Sequence, residues 1–308
     1  REHIQKYPRM QPQDVVKLLF QSEFGPGHLI ENPMDAYKYL VNELKSASPT
    51  ALWTEPVGDG VCRLQLGAVR GQLSPHTIFR LFLRAADIHG DAASMSEKCK
   101  MIIDTKIKFP FQIEDLGKYI CRYRTNGFPM VRHSEAYRAA YRPAYRVIRS
   151  SDRALLPLFA EIDRRAAVGP VRIAIDGPCG SGKTTFARRL AQIFRCNVFH
   201  MDDFFLRPEQ RTEARFAQPG GNVDRERFLE EVLIPLREER PVDYRRFDCA
   251  TFTVAPPQKI EPGTLNIAEG AYSMHPDLAP YYDLSVFLAI SAEKQRERIL
   301  KRNAPAQA

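Results

Sequence analysis

Lys183 and Thr184 close the run Gly177-Pro-Cys-Gly-Ser-Gly182-Lys183-Thr184, which fits the phosphate-binding pattern G-x-x-x-x-G-K-[ST] without a mismatch. The residue types explain what such a run can do. Gly177, Gly180 and Gly182 allow backbone angles that turn successive N–H groups inward, making a concave nest for phosphate oxygens. Cys179, Ser181 and Thr185 complete the loop around that nest. Lys183 can reach the β- and γ-phosphates, and the Thr184 hydroxyl can ligate Mg²⁺. The chain is therefore expected to bind a nucleoside triphosphate, with ATP and Mg²⁺ as its cofactors.

A second set of reactive groups is the pair Asp202-Asp203, which follows the short apolar run 197–201. Carboxylates at the C-terminal end of a strand in an open α/β sheet project into the ligand crevice. There one of them can accept the proton of an attacking hydroxyl or hold Mg²⁺ through water. A turn acid or helix cap would be the plain structural alternative.

Positioning these groups requires a specific frame. Residues 171–175 read as a buried strand, and Phe186, Leu190 and Ile193 keep helical spacing after the glycine loop. Further strands are expected at 197–201, at 265–268 ending in Glu269, and at 284–290. Asp224 follows Asn222-Val223 at the start of a helix through Phe228, Leu229, Val232 and Leu233, and 207–221 reads as a mobile loop. The fold class is α/β: a P-loop NTPase-type parallel sheet flanked by helices, preceded by a mostly α-helical N-terminal domain. The expected domains are 1–150, helical; 151–169, a connecting helix with Leu155, Leu158, Phe159 and Ile162 inward, then a linker; and 170–308, the nucleotide-binding domain.

In the N-terminal part, Asn32-Pro33 and Ser74-Pro75 are helix starts, and residues 13–24 form a helix stopped by Gly25-Pro26-Gly27. Residues 55–66 could form a hairpin or a loop. Two groupings there could carry chemistry. Glu23 and His28, with the distant His133-Ser134-Glu135, could bind a metal, but their spacing matches no metal motif, so capping and polar satisfaction are the preferred reading. Tyr137-Arg138, Tyr141-Arg142 and Tyr145-Arg146 repeat every four residues. On a helix they would present a tyrosine face beside an arginine face suited to nucleic acid, although Pro143 should bend or break that helix. A core tyrosine stripe with solvated arginines is the preferred reading.

Composition sets outer bounds. At 308 residues, 44% hydrophobic and 27% charged, the chain is an ordinary globular one with room for two domains. No apolar run is long enough to span a membrane, and the first residues lack the apolar core of a secretory signal. Six scattered cysteines form no C-x-x-C pair. That argues against a zinc ribbon or disulfide framework and fits a reducing cytoplasm. The net charge of +8 favours anionic partners, and nucleotide phosphates alone could account for that sign.

Four pieces, GPCGSGKTT, HMDDFFLRPE, EGAYSMHP and the closing VFLAIS with EKQRERILKR, resemble the uridine kinase-like branch of the P-loop kinases. That branch also holds nicotinamide riboside kinases and phosphoribulokinase. The resemblance covers residues 171–303. The short path from Lys183 to Asp202 and the DDFF run look especially like the nicotinamide riboside kinases. By position, the resemblance implies Asp202 as the base for the substrate hydroxyl and as a Mg²⁺ neighbour, with Glu269 at the strand end near the metal. It implies Asp224 on ribose hydroxyls, Tyr244 and Phe247 as base-contacting aromatics, and Arg298, Lys301 and Arg302 as lid cations over the phosphates. The pattern after Phe247 departs from that of uridine kinases. The sequence also stops at Ala308, before the final helix that family members normally add. The N-terminal half resembles a segment of uncharacterised bacterial proteins fused to such kinases, which implies no activity.

The function these signals imply is ATP-dependent phosphorylation of a primary hydroxyl, most simply the 5′-hydroxyl of a nucleoside. Another ribosylated or small hydroxyl metabolite, such as nicotinamide riboside, is the alternative acceptor. An ATP-responsive regulatory or nucleic-acid-binding protein is the alternative of a different class. A switch would not need a base facing an acceptor, so Asp202 favours the enzyme.

Overall fold

Strand-forming sequence concentrates in two separate stretches, and the chain accordingly divides into two units, Arg1–Asp163 and Arg164–Ala308. The structure is a computed structural model and describes residues 2–58 and 60–303. The end of the expected kinase domain, 304–308, lies outside the described residues.

In the second unit, four parallel strands form one sheet in the order Leu284–Phe287, Val171–Asp176, Leu265–Glu269, Cys196–His200. Val171, Ile173, Ala174 and Ile175 are buried in the phosphate-loop strand, and every residue of Leu265–Glu269 is buried. The consecutive apolar residues Ile173, Ala174 and Ile175, all buried, fit a central parallel strand covered on both faces. The helix Lys183–Ile193 buries Phe186, Ala187, Leu190 and Ile193, one stripe of a helical surface. Phe199, Met201, Phe204, Phe228, Val232 and Tyr244 form a second core around the strand Cys196–His200. Asp224 caps Arg225–Phe228, whose helical path continues through a π-helical turn, Leu229–Leu233, into Ile234–Arg237. The segment 207–221, expected as a loop, holds a 3₁₀ turn, Pro208–Gln210, and a short helix, Glu213–Phe216. The basic helix Ala292–Asn303 closes the described chain.

The first unit is helical with a small sheet. Asn32 accepts hydrogen bonds from the Met34 and Asp35 amides at the start of Pro33–Ser46, and Ser74 does the same for Thr77 at Pro75–Ala86. The helix Pro12–Phe24 ends at Gly25, where φ is 58°. Its Val15, Val16 and Phe20 join Met95, Leu116, Ile120 and Tyr137 in the core. The glycine-rich stretch forms the hairpin Thr54–Gly58 and Val61–Gln65, and a third antiparallel strand, Tyr145–Arg149, pairs with its second strand. That third strand corrects the helical stripe. The helix Glu135–Tyr141 stops at Arg142, whose φ of 42° is left-handed, and Pro143 follows. Tyr145 and Arg146 therefore sit on a strand. Arg146 is also not solvated: it is buried, and its Nη1 lies 2.5 Å from Glu43 Oε2.

The connecting segment is a 3₁₀ turn, Ser150–Leu155, leading into the helix Leu156–Ala166. Leu156, Phe159 and Ile162 are its buried residues, while Leu155 and Leu158 are half-buried. The division between the units falls within this helix.

Candidate active site

Parallel register sets which groups share an edge. Glu269 pairs with Ile175 on one side and His200 on the other, so all three strands reach their C-terminal ends together. Asp176 and the glycine loop leave one end, Asp202 lies just past another, and Glu269 ends the strand between them. This is the edge at which open α/β sheets bind ligands.

The loop has the conformation its glycines permit. Gly180 and Gly182 have φ of 75° and 102°, angles that side-chain-bearing residues seldom adopt. A Cβ on Gly177 would stand 2.5 Å from the Leu288 carbonyl oxygen. Asp176 holds the base of the loop: its carboxylate accepts from the amides of Gly177 (2.6 Å), Tyr272 (3.1 Å) and Met274 (2.9 Å). The helix starting at Lys183 aims its N-terminal partial positive charge into the nest.

A cavity of about 610 Å³ opens over this loop. Residues 179–186, Asp202, Glu269, Leu288, Arg189, Arg298 and Arg302 line it. Of the expected nucleotide and metal residues, Gly177 and Lys301 stay off the lining. Gly177 lies beneath it, accepting from Lys183 Nζ at 2.8 Å. Lys183 also donates to the Pro178 carbonyl at 3.2 Å.

Three cation-bearing or amide side chains of the last helix bond to the loop. Arg298 donates to the carbonyls of Gly180 (3.0 Å) and Ser181 (3.3 Å), Gln295 donates to that of Cys179 (2.9 Å), and Arg302 lies 3.6 Å from Cys179 Sγ. Lys301, expected beside them, is exposed and does not line the cavity.

Thr184 Oγ1 donates to Glu269 Oε1 at 2.9 Å, and His200 Nδ1 lies 2.6 Å from the same oxygen. Glu269 is only 5% exposed. Its hydrogen bond to His200 raises the imidazole pKa above the usual value, more than burial lowers it. Asp202 is exposed to the cavity. Its neighbour Asp203 is engaged elsewhere: it accepts from the buried Tyr244 hydroxyl and lies 3.5 Å from Arg246 Nε.

The donor chemistry fits both absent groups. Hard oxygen ligands, Thr184 and two carboxylates beside a phosphate nest, are what Mg²⁺ takes together with phosphate oxygens and water. Ser181 Oγ within the nest is buried and has no hydrogen-bond partner among the described residues, a position a phosphate oxygen would satisfy.

The expected substrate residues lie apart from this cavity. Tyr244 is 2% exposed, its ring packs edge-on to Phe199, and its hydroxyl donates to Asp203 and accepts from the His200 amide. Burial and the Asp203 carboxylate hold its phenol in the neutral form. Phe247 is buried beside Phe252. Asp224 is buried at its helix start, where Oδ1 accepts from the Arg227 amide and Oδ2 lies 3.7 Å from Arg227 Nε. Two contributors escaped the sequence reading, His200 and Asp176. Their signal was position: each occupies the last residue of a strand whose next residues carry the chemistry.

The groups considered for a metal in the first unit do not converge. Glu23 pairs with Lys98 Nζ at 2.7 Å, His28 packs on Phe20, and His133 bonds Asp14 and Tyr145. Among the described residues no group of three or more His, Cys, Asp or Glu side chains is placed to hold a metal, and no helix is long and apolar enough to cross a membrane.

A parallel sheet with a phosphate nest at its carboxyl edge, a strand-end acid beside the P-loop threonine and a cationic helix over the loop make up a fold of the P-loop kinase type. Residues 172–305, in the C-terminal half of the chain, match the model of the family described as Phosphoribulokinase / Uridine kinase family. Among solved structures, one from Bacillus stearothermophilus named as a possible uridine kinase is 22% identical, with a TM-score of 0.36. The match covers 47% of this chain and 92% of that one. Another, from Silicibacter sp. TM1040 and named for a fructose transport system kinase, is 25% identical with a TM-score of 0.37, over 45% of this chain and 80% of that one. No curated protein matches the chain.

Proposed function

We propose that the chain transfers the γ-phosphoryl group of ATP to a primary hydroxyl of a small metabolite, with the 5′-hydroxyl of a nucleoside as the acceptor. The observation that carries this reading is the placement of Asp202 in the same cavity as Lys183, Thr184 and Glu269. Asp203, by contrast, is occupied by Tyr244 and Arg246.

In this reading Asp202 orients the acceptor hydroxyl and takes its proton as the new oxygen–phosphorus bond forms. Lys183 leaves the loop carbonyls for the phosphates, and the loop amides hold the phosphate oxygens. Arg298 and Arg302 supply further positive charge from the helix above the loop. Thr184, Glu269 and Asp202 would hold Mg²⁺, and His200 keeps the Glu269 carboxylate in place. When bound, Mg²⁺ neutralises charge on the phosphate oxygens. Catalysis would then be chiefly positioning and charge stabilisation.

The test is ADP release measured against nucleosides, nicotinamide riboside and other ribosylated vitamins, and sugar phosphates. A nucleoside that supports stoichiometric ADP release, lost in Asp202→Asn, is the expected result. Turnover confined to a non-nucleoside acceptor would move the proposal to that metabolite class. Tight ATP binding with no acceptor-dependent turnover would overturn it.

A further inference from the structure

The first unit contains a buried cation whose partners are close on one edge and long on the other. Arg63 is 1% exposed, on the central strand of the small sheet, with its guanidinium 4.4 Å above the Tyr145 ring. Its Nε and Nη2 donate to a neutral acceptor, Gln21 Oε1, at 3.2 and 2.9 Å. The Nη1 edge finds only distant partners, the Tyr137 hydroxyl at 3.5 Å and Glu55 Oε2 at 3.6 Å. Both exceed the usual length of a charge-assisted hydrogen bond. Glu55 also accepts at its other oxygen, Oε1, from Lys6 Nζ and the Tyr7 hydroxyl at 2.8 Å each. One carboxylate thus serves two cations.

Arg63 lines a cavity of about 190 Å³, together with Lys6, Arg142 and the tyrosines 7, 137, 141 and 145. The described lining includes three cations and no carboxylate. Burying a charge is costly unless it is paired, and the pairing of Arg63 Nη1 is long. The volume is below the roughly 300–1,000 Å³ of ordinary metabolite pockets, which limits the occupant to something small.

We propose that this cavity is a binding site for a small oxyanion-bearing metabolite, a phosphate monoester or a carboxylate, held by the weakly paired edge of Arg63, by Lys6 and Arg142, and by tyrosine hydroxyls. Planar guanidinium and phenol donors at fixed positions suit the divergent oxygens of such a group. The site is independent of the phosphate loop in sequence and in chemistry. It also replaces the extended nucleic-acid stripe: Arg146 is buried against Glu43, and Tyr145 lies on a different element from Tyr137.

The test uses the full chain with its phosphate loop filled by a non-hydrolysable ATP analogue and Mg²⁺, so that the kinase cavity cannot bind the probe phosphate through that loop. Inorganic phosphate, glycerol 3-phosphate and malate are titrated by calorimetry into the wild type, Arg63→Lys and Arg142→Asn. Asn tolerates the left-handed backbone at 142, and that residue is exposed, so this variant keeps the test decisive even if Arg63→Lys fails to fold. The expected result is saturable binding in the wild type that weakens by about tenfold or more in the folded variants. Preference for the phosphates or for malate assigns the oxyanion. No saturable binding of any of the three by the wild type, or unchanged affinity in Arg142→Asn, would overturn the proposal.

Discussion

The two cavities collect anion-binding groups by opposite means. Over the phosphate loop, donors come from consecutive residues and largely from backbone N–H groups, so a single stretch of sequence carries nearly the whole nest. Around Arg63 every donor is a side chain, and Lys6, Arg63 and Tyr137 arrive from distant parts of the chain. The first design depends on local backbone angles, the second on the whole unit being folded. Their cations also differ at rest: Lys183 is hydrogen-bonded to loop carbonyls at 2.8 and 3.2 Å, whereas Arg63 Nη1 reaches its partners at 3.5 and 3.6 Å.

The contrast is broken most directly at Lys183. Because this side chain is a charge parked on the loop, Lys183→Ala should lower kcat by about 10³-fold while the melting temperature stays at the wild-type value. ADP release and thermal melting of the same preparation measure both. A variant that keeps turnover would remove the phosphate-loop assignment; one that unfolds would show the lysine to be structural.

The next effect is a pH dependence that belongs to the first unit. Burial pushes the His133 pKa down to about 4, against the upward pull of its hydrogen bond to Asp14. The unfolded chain, with a histidine near its ordinary value, takes up a proton between about pH 6.5 and 4 that the folded chain refuses. Stability should therefore fall as pH drops through that window, by up to about 3 kcal/mol from this residue. His133→Asn, whose amide can still donate to Asp14, should make melting temperature fall less steeply with pH there, with the share of His28, also pushed down to about 4 by burial, remaining. An unchanged slope in the variant would show that the buried imidazole is not the titrating group.

Within the kinase cavity, Asp202→Asn should cut kcat by roughly 10²-fold with ATP affinity little changed. Asp203→Asn should act differently, because Asp203 accepts the Tyr244 hydroxyl and its loss is felt as destabilisation. Equal kinetic losses with unchanged melting would show that the two carboxylates share the role.

What could be seen in the sequence follows the same division. The glycine loop, its strand and its helix are contiguous, so pattern and spacing sufficed, and helix starts at Pro33 and Pro75 were legible from their caps. Glu269 could be placed at a strand end, but its hydrogen bonds to Thr184 and His200 depend on parallel register across the sheet, which no local pattern encodes. Tyr244 and Phe247 carried the residue types of a base-binding pair, yet burial is a property of the finished core. The tyrosine–arginine repeat has the period of a helix, and the break at Pro143 and the buried Tyr137 were legible in it, whereas the strand after the break was not. The left-handed Arg142 and Pro143 end that helix, and Tyr-Arg-Val-Ile-Arg then pairs as a strand. Arg63 carried no signal at all, since an isolated arginine in a strand ordinarily faces solvent.

The smallest effect concerns that repeat and separates arginines that the sequence made look alike. Arg138 is exposed, with only a 4.0 Å approach to the exposed Glu135, so Arg138→Gln should change stability by about 0.5 kcal/mol or less. Arg146 is buried, donates to Glu43 and to the Tyr145 carbonyl, and lies 5.6 Å from the Phe82 ring centroid. Arg146→Gln would leave Glu43 without its cation in a half-buried place, which should cost about 2 kcal/mol. Pairing it with Glu43→Gln should return part of that loss, because the remaining carboxylate is then removed as well. Denaturant melts of the two single variants and the double variant give the coupling. If Arg138→Gln and Arg146→Gln prove equally mild, the arginines form one solvated face after all, and strand pairing at 145–149 has not distinguished them.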